Sequence, residues 1–237
     1  MIILERERER EREREDRTSI SFLNLTNLPG FLFAKKLCSL IVSIILFTSL
    51  STRGVFFNVE TAHAAEDANG TCGDNLIWVF TGATGNLTIS GTGDMDEYNG
   101  TNMPWYSFKD SITSLTIESG VTSIGACAFY SCSSLTGSLT IPEGVTTINS
   151  NAFYSCIGFN GELTLPESLK NIDIAAFINC SGLTGSITIP AGVTNIGSYA
   201  FCEIGLTAIN VHADNADYAS VDGILYNKAL TTLIQCP

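Results

Sequence analysis

A phenylalanine recurs every 24 residues through the middle of the chain, at Phe129, Phe153, Phe177 and Phe201. The residues around each phenylalanine repeat with it. A unit of this length is one supersecondary element, and it cannot bury its own apolar face, so several units must stack. The spacing therefore predicts a repeat solenoid built of stacked coils rather than a globular domain.

Four further apolar positions recur within each unit and form columns of equivalent residues. The columns are Leu115, Leu139, Leu163 and Ile187; Ile117, Ile141, Leu165 and Ile189; Val121, Val145, Leu169 and Val193; and Ile124, Ile148, Ile172 and Ile196. The Leu-Thr-Ile alternation predicts a short parallel strand with Leu and Ile facing inward. A second extended segment follows at Val-Thr-x-Ile, and the Ala-Phe pair is expected in a tight turn or one turn of helix.

Other residues predict the corners and the ends of the coils. Pro142, Pro166 and Pro190 end the first strand, because proline cannot donate to a strand ladder. Gly137, Gly161 and Gly185 are expected to permit the corner that returns the chain to that strand. At the other end, Asp222-Gly223 predicts a turn, and Asn227-Lys228, between two apolar runs, indicates a hairpin.

The segment before the repeats predicts a β-rich N-terminal cap over residues 65–110. A β-hairpin is expected from Leu76–Phe80 and Leu87–Ser90, joined through Gly82–Gly85. The hairpin would cover the open end of the solenoid, which otherwise exposes an unpaired edge. Trp105 and Tyr106 are expected to cover the core of the first coil.

The first 64 residues do not fit this fold. Residues 1–32 contain a Glu-Arg alternation typical of a solvated low-complexity segment, which we interpret as a mis-called translation start. Residues 33–64 have the basic, apolar and small-residue order of a secretory signal peptide, and an uncleaved signal anchor is the alternative. The solenoid is assigned to residues 111–237 and is expected to be truncated at its C-terminus.

Charge and histidine content argue against several classes of function. From Ala65 onward the chain has three lysines and sixteen carboxylates, a formal charge of −13. Nucleic-acid binding requires a basic footprint, and an anionic membrane would repel this charge. His212, the one histidine beyond the signal segment, has no credible Ser-His-Asp partners. We therefore expect no enzyme activity and no cofactor.

Metal sites and disulfides are also weighed against simpler interpretations. The acidic turn Asp94–Glu97 does not have EF-hand spacing, so we interpret it as solvated. Asp214, Asn215, Asp217 and Asp222 are interpreted as a polar loop rather than a weak cation site. Cys132, Cys156 and Cys180 occupy equivalent positions, with Ile204 fourth in the column. That substitution favours packing over a disulfide or a metal, since free cysteine behaves as a small hydrophobe.

The repeat Leu-Thr-x-Ile-x-Ile-Pro-x-Gly-Val-Thr-x-Ile-Gly-x-x-Ala-Phe-x-x-Cys resembles the BspA-like leucine-rich-repeat proteins, with residues 184–201 as the closest stretch. The segment from Thr71 to Leu76 and from Ile89 to Met95 is also similar to what precedes such repeats in surface proteins of gut and oral Firmicutes. The resemblance covers about residues 71–237. It implies leucine-rich-repeat-like coils, a secreted or cell-surface protein, adhesion to host or matrix proteins, and no catalytic residues.

The side chains between the inward residues of each first strand are the candidate binding site, because they point outward. They are Thr116, Thr140, Thr164 and Thr188, flanked by Ser114, Ser138, Glu162 and Ser186. Stacked coils would place them in a ladder with a spacing of ~4.8 Å. Two alternatives remain open at this point: threonine is simply a good strand residue, or Tyr130 and Tyr154 mark the binding flank.

Three functions are compatible with these features. The first is a non-enzymatic interaction module whose partners are extracellular or host surface proteins, with no nucleic acid and no membrane insertion after signal cleavage. The second is a targeting module of a larger secreted enzyme whose catalytic domain is not in this chain. The third is a structural coat protein without a specific ligand.

Overall fold

The structure, a computed structural model, describes residues 65–237; the predicted low-complexity segment and signal peptide lie outside the described residues. The strands of the N-terminal part are β1 (Ala68–Gly73), β2 (Leu76–Thr81), β3 (Asn86–Gly91) and β4 (Gly93–Asp94). A 3₁₀ helix follows at Tyr106–Ser111.

Each of the next coils contributes two short strands. They are β5 (Ser114–Ile117) and β6 (Val121–Ile124), β7 (Leu139–Thr140) and β8 (Thr147–Ile148), β9 (Leu163–Thr164) and β10 (Asn171–Ile172), and β11 (Ser186–Ile189) and β12 (Asn195–Ile196). The chain continues through β13 (Ala208–Val211), β14 (Tyr218–Val221), β15 (Ile224–Asn227) and β16 (Leu233–Gln235).

The strands stack in parallel along two sides of the coils. The second strands form one five-stranded sheet in the order β12-β10-β8-β6-β4, with Ile124, Ile148, Ile172 and Ile196 in register. The first strands pair in parallel as β3 with β5, β7 with β9, and β11 with β13. The predicted solenoid of parallel-strand coils is therefore confirmed.

The phenylalanine column forms the centre of the core. Phe129, Phe153, Phe177 and Phe201 are all buried. Their ring centroids lie 5.1, 5.3 and 5.7 Å apart, with interplanar angles of 16°, 1° and 2°. Each ring therefore packs on the ring of the next coil, so that a column of aromatic contacts connects all four coils.

The third side of the coils uses an unusual backbone conformation to connect neighbours. Two non-glycine residues per coil have positive φ, at Cys127 and Ser131, Asn151 and Ser155, Ala175 and Asn179, and Tyr199 and Glu203. In the coil that contains Phe129, the amides of Cys127, Phe129 and Ser131 donate to carbonyls of the next coil at 2.7–3.0 Å. The Ala-Phe turn therefore contributes hydrogen bonds between coils as well as its apolar filler.

The N-terminal region is both a cap and a coil. The predicted hairpin is present as antiparallel β2 and β3, with β1 antiparallel to β2. β3 then runs parallel to β5, and β4 runs parallel to β6. Trp105 is buried and stacks on Phe129 at 5.6 Å. Residues 86–112 thus follow the path of a coil, with Trp105 in the place of the phenylalanine.

Two local expectations are corrected. Tyr106 does not cover the core, because its side chain is 42% exposed at the start of the 3₁₀ helix. Gly137 and Gly185 have the positive φ expected at the corner, but Gly161 does not. A Cβ on Gly161 would lie 2.8 Å from the backbone nitrogen of Ser138, so the close approach of the previous coil requires glycine there.

The C-terminal strands form a three-stranded antiparallel sheet, β14-β15-β16. Both Asp222 and Gly223 have positive φ, as a two-residue type I′ hairpin turn requires. The buried Asn215 donates to the carbonyls of Pro190 and Val193 at 2.8 and 3.0 Å. This side chain, interpreted from the sequence as part of a polar loop, fastens the end of the last complete coil. Within residues 65–237, no helix is long and apolar enough to cross a membrane.

Candidate protein-interaction face

The outward side of the first strands, here called the first-strand face, carries all eight predicted site residues. Thr116, Thr140, Thr164 and Thr188 are exposed in one row; Ser114, Ser138, Glu162 and Ser186 are exposed or half-buried in the adjacent row. The strand register adds residues that the sequence repeat did not show. Thr88 pairs with Thr116 at one end, and Asn210 pairs with Thr188 at the other.

The central threonine hydroxyls of this face are free. Among the described residues, no protein group is hydrogen bonded to the hydroxyl of Thr140, Thr164 or Thr188. At the edges the groups are engaged: Ser114 and Thr116 donate to Asn86 Oδ1 at 3.0 and 3.4 Å. The middle of the face therefore offers donors and acceptors that only solvent or a partner can use.

The opposite side, the outward face of β6, β8, β10 and β12, uses most of its polar groups within the solenoid. Thr146 donates to the carbonyl of Thr122 at 3.2 Å, and Thr194 donates to that of Lys170 at 3.5 Å. Asn195 donates to the side chain of Asn171 in the coil beneath it. These side chains hold neighbouring coils together, so this second-strand face has fewer free groups for a partner.

The N-terminal end of the first-strand face is apolar, which sequence analysis missed. Val79 pairs with Thr88 and Ile77 pairs with Ser90, so both side chains extend the threonine surface onto β2. Ile77 and Val79 are 50% and 40% exposed. Their alternation with buried Trp78 and Phe80 was a usable signal, because alternate residues of a strand lie on opposite faces.

The arrangement of Tyr130 and Tyr154 argues against the alternative that these two residues mark the binding flank. Tyr130 and Tyr154 stack face to face, with centroids 4.5 Å apart and an interplanar angle of 7°. The backbone of Gly100 covers the ring of Tyr130, since a Cβ there would lie 3.1 Å from it. Both faces of the Tyr130 ring and one face of the Tyr154 ring are therefore occupied by contacts within the protein.

The acidic turn and the histidine are engaged locally. Thr122 donates to Asp94 Oδ1 at 2.6 Å, and the hydrogen bonds from Thr122 and Ser123 lower the pKa of that carboxyl group. Within residues 65–237, no three acidic, cysteine or histidine side chains are grouped as metal ligands. His212 Nδ1 accepts a hydrogen bond from the amide of Asp214 at 3.2 Å, within its own turn.

The cysteine column is buried in the core beside the phenylalanine stack. Cys132, Cys156 and Cys180 are fully buried, and Ile204 lies in the equivalent place in the fourth coil. The thiols of Cys156 and Cys180 donate to the carbonyls of Phe129 and Phe153, each at 3.0 Å. The packing interpretation is therefore confirmed, with one addition: the thiol also links successive coils.

Burial makes these thiols poor nucleophiles. It raises the pKa of Cys132 from its ordinary 9.0 to about 12 and raises that of Cys156 as well. In the native protein we expect iodoacetamide to modify the exposed Cys236, and Cys132, Cys156 and Cys180 to react only after unfolding. Peptide mapping by mass spectrometry resolves each site. Rapid modification of Cys156 in the folded protein would contradict the buried column.

The same shift predicts a loss of stability in alkali. The unfolded chain ionises Cys132 at its ordinary pKa of 9.0, whereas the folded Cys132 stays protonated until about 12. The stability linked to this group is therefore fully present below pH 9.0 and declines as the pH rises towards the folded pKa.

Comparison with known proteins agrees with this geometry. The profile of the BspA type leucine rich repeat region matches residues 101–220 in six copies. A search of curated proteins found no match.

Two solved structures of leucine-rich-repeat proteins are similar to this chain. A leucine-rich repeat protein from Eubacterium ventriosum is 31% identical, with a TM-score of 0.55 over 73% of this chain and 51% of the other. This chain thus spans about half the length of that protein. A leucine rich cell surface protein from Faecalibacterium prausnitzii is 23% identical, with a TM-score of 0.40 over 72% of this chain and 62% of the other. With its repeats and coils matched in this way, the chain belongs to the BspA-type leucine-rich-repeat family.

Proposed function

We propose that this protein is a secreted or cell-surface, non-enzymatic interaction module that binds host or matrix proteins through its first-strand face. Membership of a repeat family supports the scaffold role, because solenoids present extended surfaces to partners. The signal-like segment and the acidic charge from Ala65 onward support an extracellular location.

The observation that carries the proposal is the contrast between the two strand faces. Within residues 65–237, the hydroxyls of Thr140, Thr164 and Thr188 on the first-strand face have no hydrogen-bond partner. Thr146 and Thr194 on the second-strand face instead donate to carbonyls of the adjacent coil. If these threonines were present only because threonine favours strands, their hydroxyls would not need to remain unpaired in a row. The unengaged row is instead suited to hydrogen bonding with a protein surface.

The test compares matched variants on the two faces. We expect the double substitution Thr140→Lys with Thr164→Lys to abolish capture by immobilised matrix proteins and mucin, because a charge at the centre of an interface is poorly tolerated. The fold should survive, since both side chains are exposed.

The control is Thr146→Lys with Thr194→Lys, which adds the same charge to exposed threonines of the second-strand face. This control should bind as the unaltered protein does, and circular dichroism checks the fold of both. Normal capture by the first variant, with loss in Tyr130→Ala and Tyr154→Ala, would transfer the binding surface to the tyrosine flank.

A further inference from the structure

We propose that the partner segment bound by the first-strand face is a basic polypeptide that also carries apolar side chains. This inference rests on the proposed function and adds the chemistry of the partner. Three features of the face support it: the distribution of charge, the exposed glutamates on it and along its border, and the apolar end on β2.

The face carries carboxylates and no cation. Lys109 pairs with Asp110 at 2.8 Å within the 3₁₀ helix, and Lys228 Nζ donates to the carbonyl of Asn215 at 2.6 Å near β15. Lys170 precedes β10 on the second-strand face. These are the three basic residues from Ala65 onward, against sixteen carboxylates. The field of the described part therefore attracts a basic partner and repels an acidic one.

Four glutamates lie on the face or along its border. Glu118 follows β5, and its amide donates to the carbonyl of Ile89 at 2.9 Å, which continues the strand pairing. Glu162 lies in the serine row. At the border, the carboxylate of Glu143 accepts hydrogen bonds from the amides of Glu167 and Ser168 at 3.0 and 3.3 Å.

These carboxylates are available to a partner. Glu118, Glu143, Glu162 and Glu167 are exposed. The ion pairs among the described residues are Lys109–Asp110 and His212–Asp214, so none of the four glutamates pairs with a cation of residues 65–237. Lysine or arginine side chains of a bound segment could pair with them without displacing an internal salt bridge.

The apolar end explains why charge alone does not describe the partner. Ile77 and Val79 are half exposed in line with Ser90 and Thr88, so a segment lying along the threonine row reaches them. Interfaces combine apolar anchors with a polar rim, and an apolar side chain of the partner would anchor on this pair. The face extends over the seven strands β2, β3, β5, β7, β9, β11 and β13. At a spacing of ~4.8 Å these strands cover ~29 Å, which an extended segment of about nine residues spans.

The decisive experiment places opposite charges at the same positions. The probe is a synthetic peptide of repeating Lys-Val-Lys-Thr sequence, with the matching Glu-Val-Glu-Thr peptide as its control, and the dissociation constant is measured by fluorescence polarisation. We expect Thr140→Lys with Thr164→Lys to weaken binding of the lysine peptide about tenfold or more, and Thr140→Glu with Thr164→Glu to maintain or strengthen it. The glutamate peptide should not bind, and the affinity should fall as salt is added.

A second pair of variants separates local contacts from net charge. Glu118→Gln, Glu143→Gln and Glu167→Gln together should weaken the lysine peptide about fivefold to tenfold. Asp214→Asn, Asp217→Asn and Asp222→Asn change the net charge equally at the C-terminal end, and should leave its affinity within about twofold. Ile77→Ser with Val79→Ser should weaken it without changing the salt dependence.

The outcomes distinguish this inference from the proposed function. Three results would overturn the inference that the partner is basic. The lysine peptide could fail to bind, both charge-neutralised triple variants could lose affinity equally, or the Lys and Glu double variants could lose affinity equally. If matrix proteins were then still captured in a manner that depends on Thr140 and Thr164, the proposed function would stand alone. If those threonines had no effect on any ligand, both proposals would be rejected.

Discussion

Replacing Phe153 with alanine should destabilise the protein by about 3–5 kcal/mol, as truncation of a core phenylalanine usually does. Phe153 lies at the middle of the stack, with Phe129 at 5.1 Å on one side and Phe177 at 5.3 Å on the other. The substitution leaves a cavity between two coils, and both neighbouring rings lose a stacking partner. Denaturant unfolding followed by circular dichroism measures the effect.

The control for this substitution is Thr164→Ala. Thr164 is exposed and its hydroxyl has no partner among the described residues, so the free energy of unfolding should change by less than about 0.5 kcal/mol. Phe153→Leu should fall between the two, because it refills much of the volume but does not stack. A Phe153→Ala variant as stable as Thr164→Ala would contradict the stacked core.

Replacing Trp105 with alanine should also cost about 3–5 kcal/mol, although Trp105 lies outside the repeated sequence. Its ring is buried, stacks on Phe129 at 5.6 Å and contacts Trp78 edge-on at 6.0 Å. Its indole N–H donates to the carbonyl of Ala128 at 2.9 Å, so the side chain also connects the N-terminal region to the first repeat.

Trp105→Phe separates the stacking from the hydrogen bond. It keeps an aromatic ring in the column but leaves the buried carbonyl of Ala128 without the indole donor, which costs about 1–3 kcal/mol. Intermediate stability of Trp105→Phe is therefore expected, measured by the same denaturant unfolding. If Trp105→Ala were tolerated, residues 86–112 would be an appendage rather than a coil of the solenoid.

The candidate site could be predicted in part. The alternation of Thr140 and Thr164 with inward leucines placed them outside the core, since side chains of a strand alternate between its faces. Which hydroxyls remain free depends on the carbonyls of the adjacent coil. Thr140 and Thr146 are both exposed threonines of the same repeat, yet only Thr146 donates to the preceding coil, at 3.2 Å from the carbonyl of Thr122. Ile77 and Val79 were missed because they lie outside the repeat, and only the pairing of β2 with β3 brings them to this face.

The period, the inward columns and the phenylalanine stack follow from the sequence alone, because each coil must bury its apolar side chains against an equivalent neighbour. The ends of the solenoid were decided by the tertiary structure, because they break the repeat and meet different partners on each side. Trp105 replaces phenylalanine in the first coil, and Asn215 fastens the last through hydrogen bonds to Pro190 and Val193. Gly161 shows the same distinction within the repeat. Its recurrence at the same position as Gly137 and Gly185 is visible in the sequence, but the contact that requires glycine is made by Ser138 of the previous coil.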